Sequence, residues 1–129
     1  MKLLALAALG GALGASGRYM VGVLALRTFG FAFPYGTLIV NVFGALLMGV
    51  LIHLLAVKLN GSPELRVFLA TGVLGGFTTF SAFSLEVANM IERSEWGWAF
   101  GYSLASVVLC VLGIFAGLAL GRLLVGGGL

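Results

Sequence analysis

The residues best suited to bind or react with a ligand lie in one segment, 71–84, where small, hydroxyl-bearing and aromatic side chains interrupt an apolar stretch. The sequence of this segment is TGVLGGFTTFSAFS. Adjacent glycines followed by two β-branched threonines weaken a helix. In a membrane, the backbone groups that are freed must find partners inside the protein or line a cavity. Freed carbonyls suit a small cation such as Na⁺, whereas hydroxyls and amides can donate to an anion. The pattern predicts a broken helix with an ion site; the alternative is a helix only kinked at Gly75 and Gly76, whose threonines bond back into their own turns.

Two phenylalanines follow the predicted break. Phe80 and Phe83 are three residues apart, so they share one face of a helix. A ring edge is electropositive and can face a small anion, although most phenylalanine pairs simply pack. Their position among the hydroxyl residues Thr79, Ser81 and Ser84 favours a role at the ion site.

Two further sets of polar residues recur at every fourth position, so each set lines one helix face. Thr37 and Asn41 form the first set, and Tyr102, Ser106 and Cys110 form the second. A buried asparagine in a membrane helix is costly unless it finds a hydrogen-bond partner. The pattern leaves each set open between hydrogen bonding that joins helices and the lining of a pore.

Two charged residues, Arg18 and Glu86, lie inside apolar stretches, where charges are functional hypotheses by default. Arg18 is close enough to a helix end for its side chain to reach the interface. Glu86 follows Phe83 by three residues, which makes it a candidate for the vestibule of a pore.

Composition and motifs argue against two other classes of protein. The only histidine, His53, has no neighbouring acid, thiol or second histidine in the sequence, so a zinc site or a catalytic triad lacks its minimum members. Basic residues are scattered singly, with no stripe that could follow nucleic-acid phosphates. We therefore expect neither an enzyme nor a nucleic-acid-binding protein.

The elements that must position these residues are membrane helices. The 129 residues are 61% hydrophobic and 9% charged, too few charges for a water-soluble surface. Residues 1–17 could pass for a signal peptide, but the apolar stretch continues beyond Arg18. Four stretches exceed the ~20 residues that cross a bilayer: 3–26, 34–57, 65–91 and 96–125. The sequence predicts one all-α domain, 1–129, integral to a lipid bilayer, with the third of four transmembrane helices broken near its middle.

The basic residues show no preference for one membrane face. Four would lie on one face and three on the other: Lys2, Lys58, Arg66 and Arg122, against Arg27, Arg93 and Arg18. Because an excess of basic residues marks the cytoplasmic side, a balanced chain can insert in both directions. Two oppositely oriented copies would pair about an axis in the membrane plane, which predicts an antiparallel, dual-topology homodimer.

Glycine is abundant, at 21 residues, and regularly placed. Gly10 and Gly14 in the first span, and Gly113, Gly117 and Gly121 in the fourth, recur every fourth residue and allow helix backbones to approach closely. The spacing leaves the partner open: it is either the second subunit or another helix of the same subunit.

Three segments, 75–84 (GGFTTFSAFS), 17–19 (GRY) and 36–41 (GTLIVN), resemble the Fluc (CrcB) family of fluoride channels, and the resemblance covers essentially the whole chain. It implies a passive, fluoride-selective channel, multi-pass in the bacterial inner membrane, that exports fluoride from the cytoplasm through a dual-topology dimer with two pores. Ala82 and Cys110 depart from the family pattern, which usually has a hydroxyl residue at the first position and commonly a serine at the second.

The resemblance also assigns roles to individual residues. Phe80 and Phe83 would be pore-lining rings, and Asn41 would donate to fluoride. The backbone carbonyls of Gly75 and Thr78 would hold a structural Na⁺ shared by both subunits at the dimer centre. The remaining candidates line the pore or supply vestibule or structural charges: Thr79, Ser81, Thr37, Tyr102 and Ser106 for the pore, and Arg18 and Glu86 for the charges.

Two alternatives remain at this point. One is a small, four-helix, proton-coupled exporter in which Glu86 carries protons; such exporters usually have their essential carboxylate in the first span, where this chain has none. The other is a non-conducting membrane subunit that scaffolds a larger complex. Fluoride efflux from liposomes separates all three functions.

Overall fold

The computed structural model describes residues 1–126, which contain four helices long and apolar enough to cross a membrane. Over these residues the chain forms helices and turns and has no strand. We name the four helices spans one to four: Lys2–Phe29, Tyr35–Val57, Pro63–Glu92 and Trp96–Leu124. The sequence predicts four helices able to span a membrane and an all-α chain, and the structure confirms both over the described residues.

Short turns with identifiable signals end and begin the spans. Span one stops at Gly30, whose φ of 79° is a left-handed conformation that glycine adopts without strain. Span three starts at Ser62, whose hydroxyl accepts a hydrogen bond from the Leu65 N–H at 3.3 Å, followed by Pro63 at the first helical position. Ser94, with a φ of 60°, reverses the chain between spans three and four.

Spans two and four pack closely along a shared glycine seam. A methyl group added at Gly117 would collide with the Leu46 carbonyl oxygen and lie 3.0 Å from the Gly49 Cα. One added at Gly121 would lie 2.9 Å from the His53 Cβ. These glycines therefore serve contacts between two helices of the same subunit.

Span one packs in the same way against the first half of span three. A methyl group at Gly72 would lie 2.8 Å from the Gly10 Cα, and one at Gly14 would meet the Val73 carbonyl group. The sequence does not identify the contact partner of either glycine pattern; in the structure, both patterns lie at contacts between helices of one subunit.

Span three is irregular along its first half and broken near its middle. A π-helical stretch, Arg66–Leu74, is unusually long for a geometry that often marks functional sites. The chain then becomes extended at Thr78 (φ −88°, ψ 157°) and Thr79 (φ −152°, ψ 121°). The break falls at the β-branched threonines, while Gly75–Phe77 keep helical geometry. The second half is a helix, Phe80–Glu92.

Large apolar side chains cover the outside of the subunit. Leu4 and Phe115 are each 64% exposed, and Leu123 is 74% exposed. Only a few large side chains are fully enclosed within the described residues, among them Val40 and Tyr102. The bilayer, or another protein surface, must therefore cover most of this exterior.

The glycine seam between spans two and four can be tested with one substitution. Gly117→Ala should lower the free energy of unfolding of the detergent-solubilised protein by about 1–3 kcal/mol, because the added methyl group overpacks the seam. Unfolding is followed by circular dichroism during denaturant titration.

Gly101→Ala is the matched control in the same helix, because a Cβ there has no atom within 4 Å. It should leave stability unchanged or raise it by up to about 1 kcal/mol, since alanine favours a helix more than glycine does. Equal losses in the two variants would contradict a seam within the subunit.

Candidate functional site

The Asn41 side chain satisfies both backbone groups of the extended residue Thr79. Its Nδ2 donates to the Thr79 carbonyl at 2.9 Å, and its Oδ1 accepts from the Thr79 N–H at 2.7 Å. The side-chain amide thus replaces the helical partners that Thr79 has lost. Because water cannot serve these groups in a bilayer, this pair keeps the break stable.

The two threonine hydroxyls act differently. Thr78 Oγ1 donates to the Leu74 carbonyl at 3.0 Å and so bonds back into its own turn. Thr79 Oγ1 instead accepts from the Ala82 N–H at 3.1 Å and caps the second half of span three. Only one of the two threonines behaves as it would in a merely kinked helix.

These contacts divert the donors of two nearby carbonyls. In a continuous helix, the N–H of Thr79 would serve Gly75, and that of Ala82 would serve Thr78. Here they donate to Asn41 and to the Thr79 hydroxyl. Gly75 is exposed on the outside of the subunit. The two carbonyls predicted as Na⁺ ligands are therefore left without their helical donors, which is the chemistry a cation site needs.

Arg18 lies beside the break, on span one. Its Nε donates to the Gly76 carbonyl at 3.1 Å. Ser81 contacts the break from the other side, with its hydroxyl 3.2 Å from the Thr79 hydroxyl, and it is exposed. Neither side chain lines the two cavities described below.

Three of the residues predicted from the sequence, Thr37, Glu86 and Tyr102, meet in a polar cluster that we call the Glu86 cluster. Glu86 accepts hydrogen bonds on both carboxylate oxygens, from the Thr37 hydroxyl on Oε1 and from the Tyr102 hydroxyl on Oε2, the latter at 2.6 Å. The two sets of polar residues on spans two and four thus each supply one hydroxyl to the same carboxylate on span three. This Glu86 cluster joins three spans at one level of the membrane.

A groove of about 450 Å³ opens next to the break. Asn41, Phe80, Phe83 and Ser106 line it, together with Cys110. Phe80 is 77% exposed, and its ring centroid lies 5.4 Å from that of Phe83. Residues from spans two, three and four therefore present amide, hydroxyl and aromatic groups to one space.

Ser106 lines this groove with a hydroxyl that has no hydrogen-bond partner within residues 1–126. Its side chain is buried, with 8% of the residue exposed, and its Oγ has no hydrogen-bond partner among the described residues. Buried hydroxyls are nearly always paired, so an unpaired one that lines a cavity is a candidate ligand group.

A second cavity, of about 310 Å³, lies on the other side of the Glu86 cluster. We call it the mouth cavity; the turn after span one and the end of span three form its walls. Phe33, Thr37, Glu86, Asn89 and Arg93 are among its lining residues. It lies toward the end of the bundle that carries residues 30–34 and Arg93.

The sequence did not single out Phe33 or Arg93 as site residues. Phe33 makes an edge contact with Tyr102, with ring centroids 5.2 Å apart. Phe33 lies in a turn, and no local sequence pattern predicts which residue it contacts. Arg93 had a usable signal, because it follows Glu86 by seven residues and so lies on the same helix face.

Comparison with known proteins agrees with this geometry. Residues 5–118 match a family model described as CrcB-like protein, Camphor Resistance (CrcB). The chain belongs to the CrcB family. A relative named fluoride-specific ion channel FluC, from Agrobacterium fabrum (strain C58), is 54% identical over 92% of this chain and 95% of its own. Another protein of that name, from Caulobacter sp. (strain K31), is 57% identical over 95% and 96% of the two chains.

The pairing of Asn41 with Thr79 leads to a test on this CrcB-family chain. Asn41→Ala should lower the free energy of unfolding by about 2–4 kcal/mol, because two partly buried backbone groups of Thr79 then lose their partners. Thr79→Ala is the control, since it removes the cap but keeps both backbone bonds, and should cost about 1 kcal/mol. Denaturant titration in detergent measures both values. A loss in Thr79→Ala as large as that in Asn41→Ala would contradict the role of the asparagine.

Proposed function

We propose that this chain forms a passive, fluoride-specific ion channel in the bacterial inner membrane, through which fluoride leaves the cytoplasm. The observation that carries the proposal is the groove where the unpaired Ser106 hydroxyl meets Asn41 and the rings of Phe80 and Phe83. Membership of the CrcB family and the printed names of the relatives support the choice of fluoride.

The groove offers what a small anion needs in exchange for its water. Ser106 has a free O–H, and the Asn41 amide carries a second Nδ2 hydrogen beyond the one given to Thr79. The edges of Phe80 and Phe83 add electropositive C–H groups. Such weak donors favour a small ion that they can approach closely, and they release it readily.

The Glu86 cluster continues this path. The Thr37 and Tyr102 hydroxyls donate to Glu86. A fluoride ion at this level competes with the carboxylate for the same two hydrogens, so each hydroxyl can turn from one acceptor to the other. No proton leaves or enters the protein in this exchange, which fits passive conduction driven by the membrane potential.

We propose that the functional unit is a homodimer of oppositely oriented copies. The carbonyl of Gly75, which has lost its helical donor, lies on an exposed face of span three together with the polar residues Ser81 and Ser84, and lipid offers that carbonyl no partner. The balance of basic residues between the two faces supports an inverted partner. A second copy that covers this face would also complete the groove beside the exposed Phe80 ring.

Na⁺ at the dimer centre is part of the same proposal. The carbonyls of Gly75 and Thr78 from both copies would hold it, because their helical donors are used elsewhere. When bound, the ion supplies a buried positive charge that offsets part of the cost of bringing an anion into the membrane.

Fluoride efflux from liposomes tests the channel function. Purified protein should pass fluoride rapidly under a voltage, without a proton gradient, as measured with a fluoride electrode. Phe80→Ile should slow efflux by about tenfold or more, equivalent to a barrier rise of ~1.4 kcal/mol. Phe115→Ile is the control, because this exposed ring lies outside the groove lining, and it should leave the rate unchanged.

Two results would contradict the channel function. Efflux that requires proton counterflow and disappears in Glu86→Gln would indicate an exporter. Liposomes that pass no fluoride with the wild-type protein would indicate a non-conducting subunit.

The dimer and its cation can be tested through two adjacent glycines. Gly75→Ala should fold, because a Cβ there has only an ordinary 3.5 Å contact with the Ala70 carbonyl oxygen. It should nevertheless dimerise more weakly and lose the rise in thermal stability that Na⁺ gives the wild-type protein by binding the folded state. Cross-linking and thermal unfolding, with Na⁺ or a large organic cation, measure both effects.

Gly76→Ala provides the contrast, since its Cβ would lie 2.7 Å from the Gly11 carbonyl oxygen in the same subunit. It should reduce folding of the subunit itself. If Gly75→Ala keeps both the dimer and the Na⁺ effect, the proposed central site is wrong.

A further inference from the structure

The mouth cavity has an electrostatic arrangement that the conduction path does not explain. Glu86 lies at its inner end and presents a carboxylate, which repels an approaching anion. Arg93 lies on the same helix face seven residues later, about 10.5 Å along the helix axis. Of the described residues that line the cavity, Arg93 alone is basic.

Glu95 reduces the charge that Arg93 presents. The Arg93 Nε donates to Glu95 Oε1 at 3.1 Å, and its Nη2 donates to Oε2 at 3.3 Å. The left-handed conformation of Ser94 turns the chain so that Glu95 faces Arg93 across a single residue. Glu95 itself is not among the lining residues of the cavity.

Stability alone does not account for this pair. The Arg93 and Glu95 side chains are 57% and 40% exposed, and exposed ion pairs contribute little to folding. Their charges nevertheless act on ions in the adjoining cavity, where the field of an exposed charge extends over about one Debye length.

We propose that Arg93 recruits anions to the mouth cavity and that Glu95 limits this attraction. The inference rests on the proposed fluoride conduction and names the residues that set the fluoride concentration at one end of the path. Arg93 offsets the repulsion of Glu86 for an ion in the cavity. Glu95, by pairing with Arg93, lowers the fluoride concentration that Arg93 would otherwise draw into the cavity.

Opposite charge changes should move the fluoride flux in opposite directions. At about 0.01 M ionic strength, where the Debye length is about 30 Å, Arg93→Gln should lower the liposome efflux rate about twofold and Glu95→Gln should raise it about twofold. A twofold change in rate matches the interaction between one unit charge and a fluoride ion at a distance of roughly 8 Å in water. At about 1 M of an impermeant organic salt, where the Debye length is about 3 Å, the three rates should converge.

Two controls separate recruitment from structure and from net charge. Arg93→Lys keeps the charge but cannot make the paired bonds to Glu95, so it should keep the wild-type rate or exceed it slightly. Glu64→Gln removes the same charge as Glu95→Gln from another exposed ion pair, with Lys2, at the opposite end of span three. It should leave the rate unchanged.

The outcomes distinguish this inference from the proposed function. Efflux that is intact but identical in wild type, Arg93→Gln and Glu95→Gln at low ionic strength overturns the recruitment role and leaves the channel standing. Equal increases in Glu64→Gln and Glu95→Gln also overturn it, because net charge would then be the cause. Wild-type liposomes that pass no fluoride at either ionic strength refute the channel, and the recruitment role with it.

Discussion

The two hydrogen bonds between Asn41 and the backbone of Thr79 are the interaction on which the rest of the site depends. Helix breaks inside a bilayer are stable only where the freed backbone groups are paired or line a cavity. A side-chain amide carries one donor end and one acceptor end, so it can stand in for both neighbours of one peptide residue. Span two thus permits an extended residue in the middle of span three.

This break creates two helix ends of opposite polarity at one level. The first half of span three ends at Phe77, and the carbonyls of its last turn, that of Gly75 among them, carry the negative end of a helix dipole. The second half begins at Phe80, and the N–H groups of its first turn, which form the positive end of a helix dipole, lie beside the groove that Thr79 and Phe80 line. The same short segment therefore suits a cation on one side and an anion on the other, as broken helices in transporters do.

The sequence predicts the spans and the existence of the break well, because both follow from local composition. It does not locate the break: the glycines are the weaker helix formers, yet the chain opens at Thr78 and Thr79. The deciding partner, Asn41, is 38 residues away and cannot be assigned from spacing. For the same reason, the contact of Arg18 with the Gly76 carbonyl and that of Phe33 with Tyr102 emerge only from the fold.

In the proposed channel, a carboxylate beside the path of an anion repels that anion, yet Glu86 also satisfies a buried hydroxyl of the bundle. Tyr102 is only 1% exposed, and its hydroxyl would be an unpaired buried group without the carboxylate. A fixed cation in the same place could satisfy fluoride as well, but strong binding slows release, and conduction needs sites that an ion leaves easily. Neutral donors that share their hydrogens with a carboxylate bind an anion weakly. In the proposed channel, the negative charge of Glu86 would therefore favour rapid passage over tight binding.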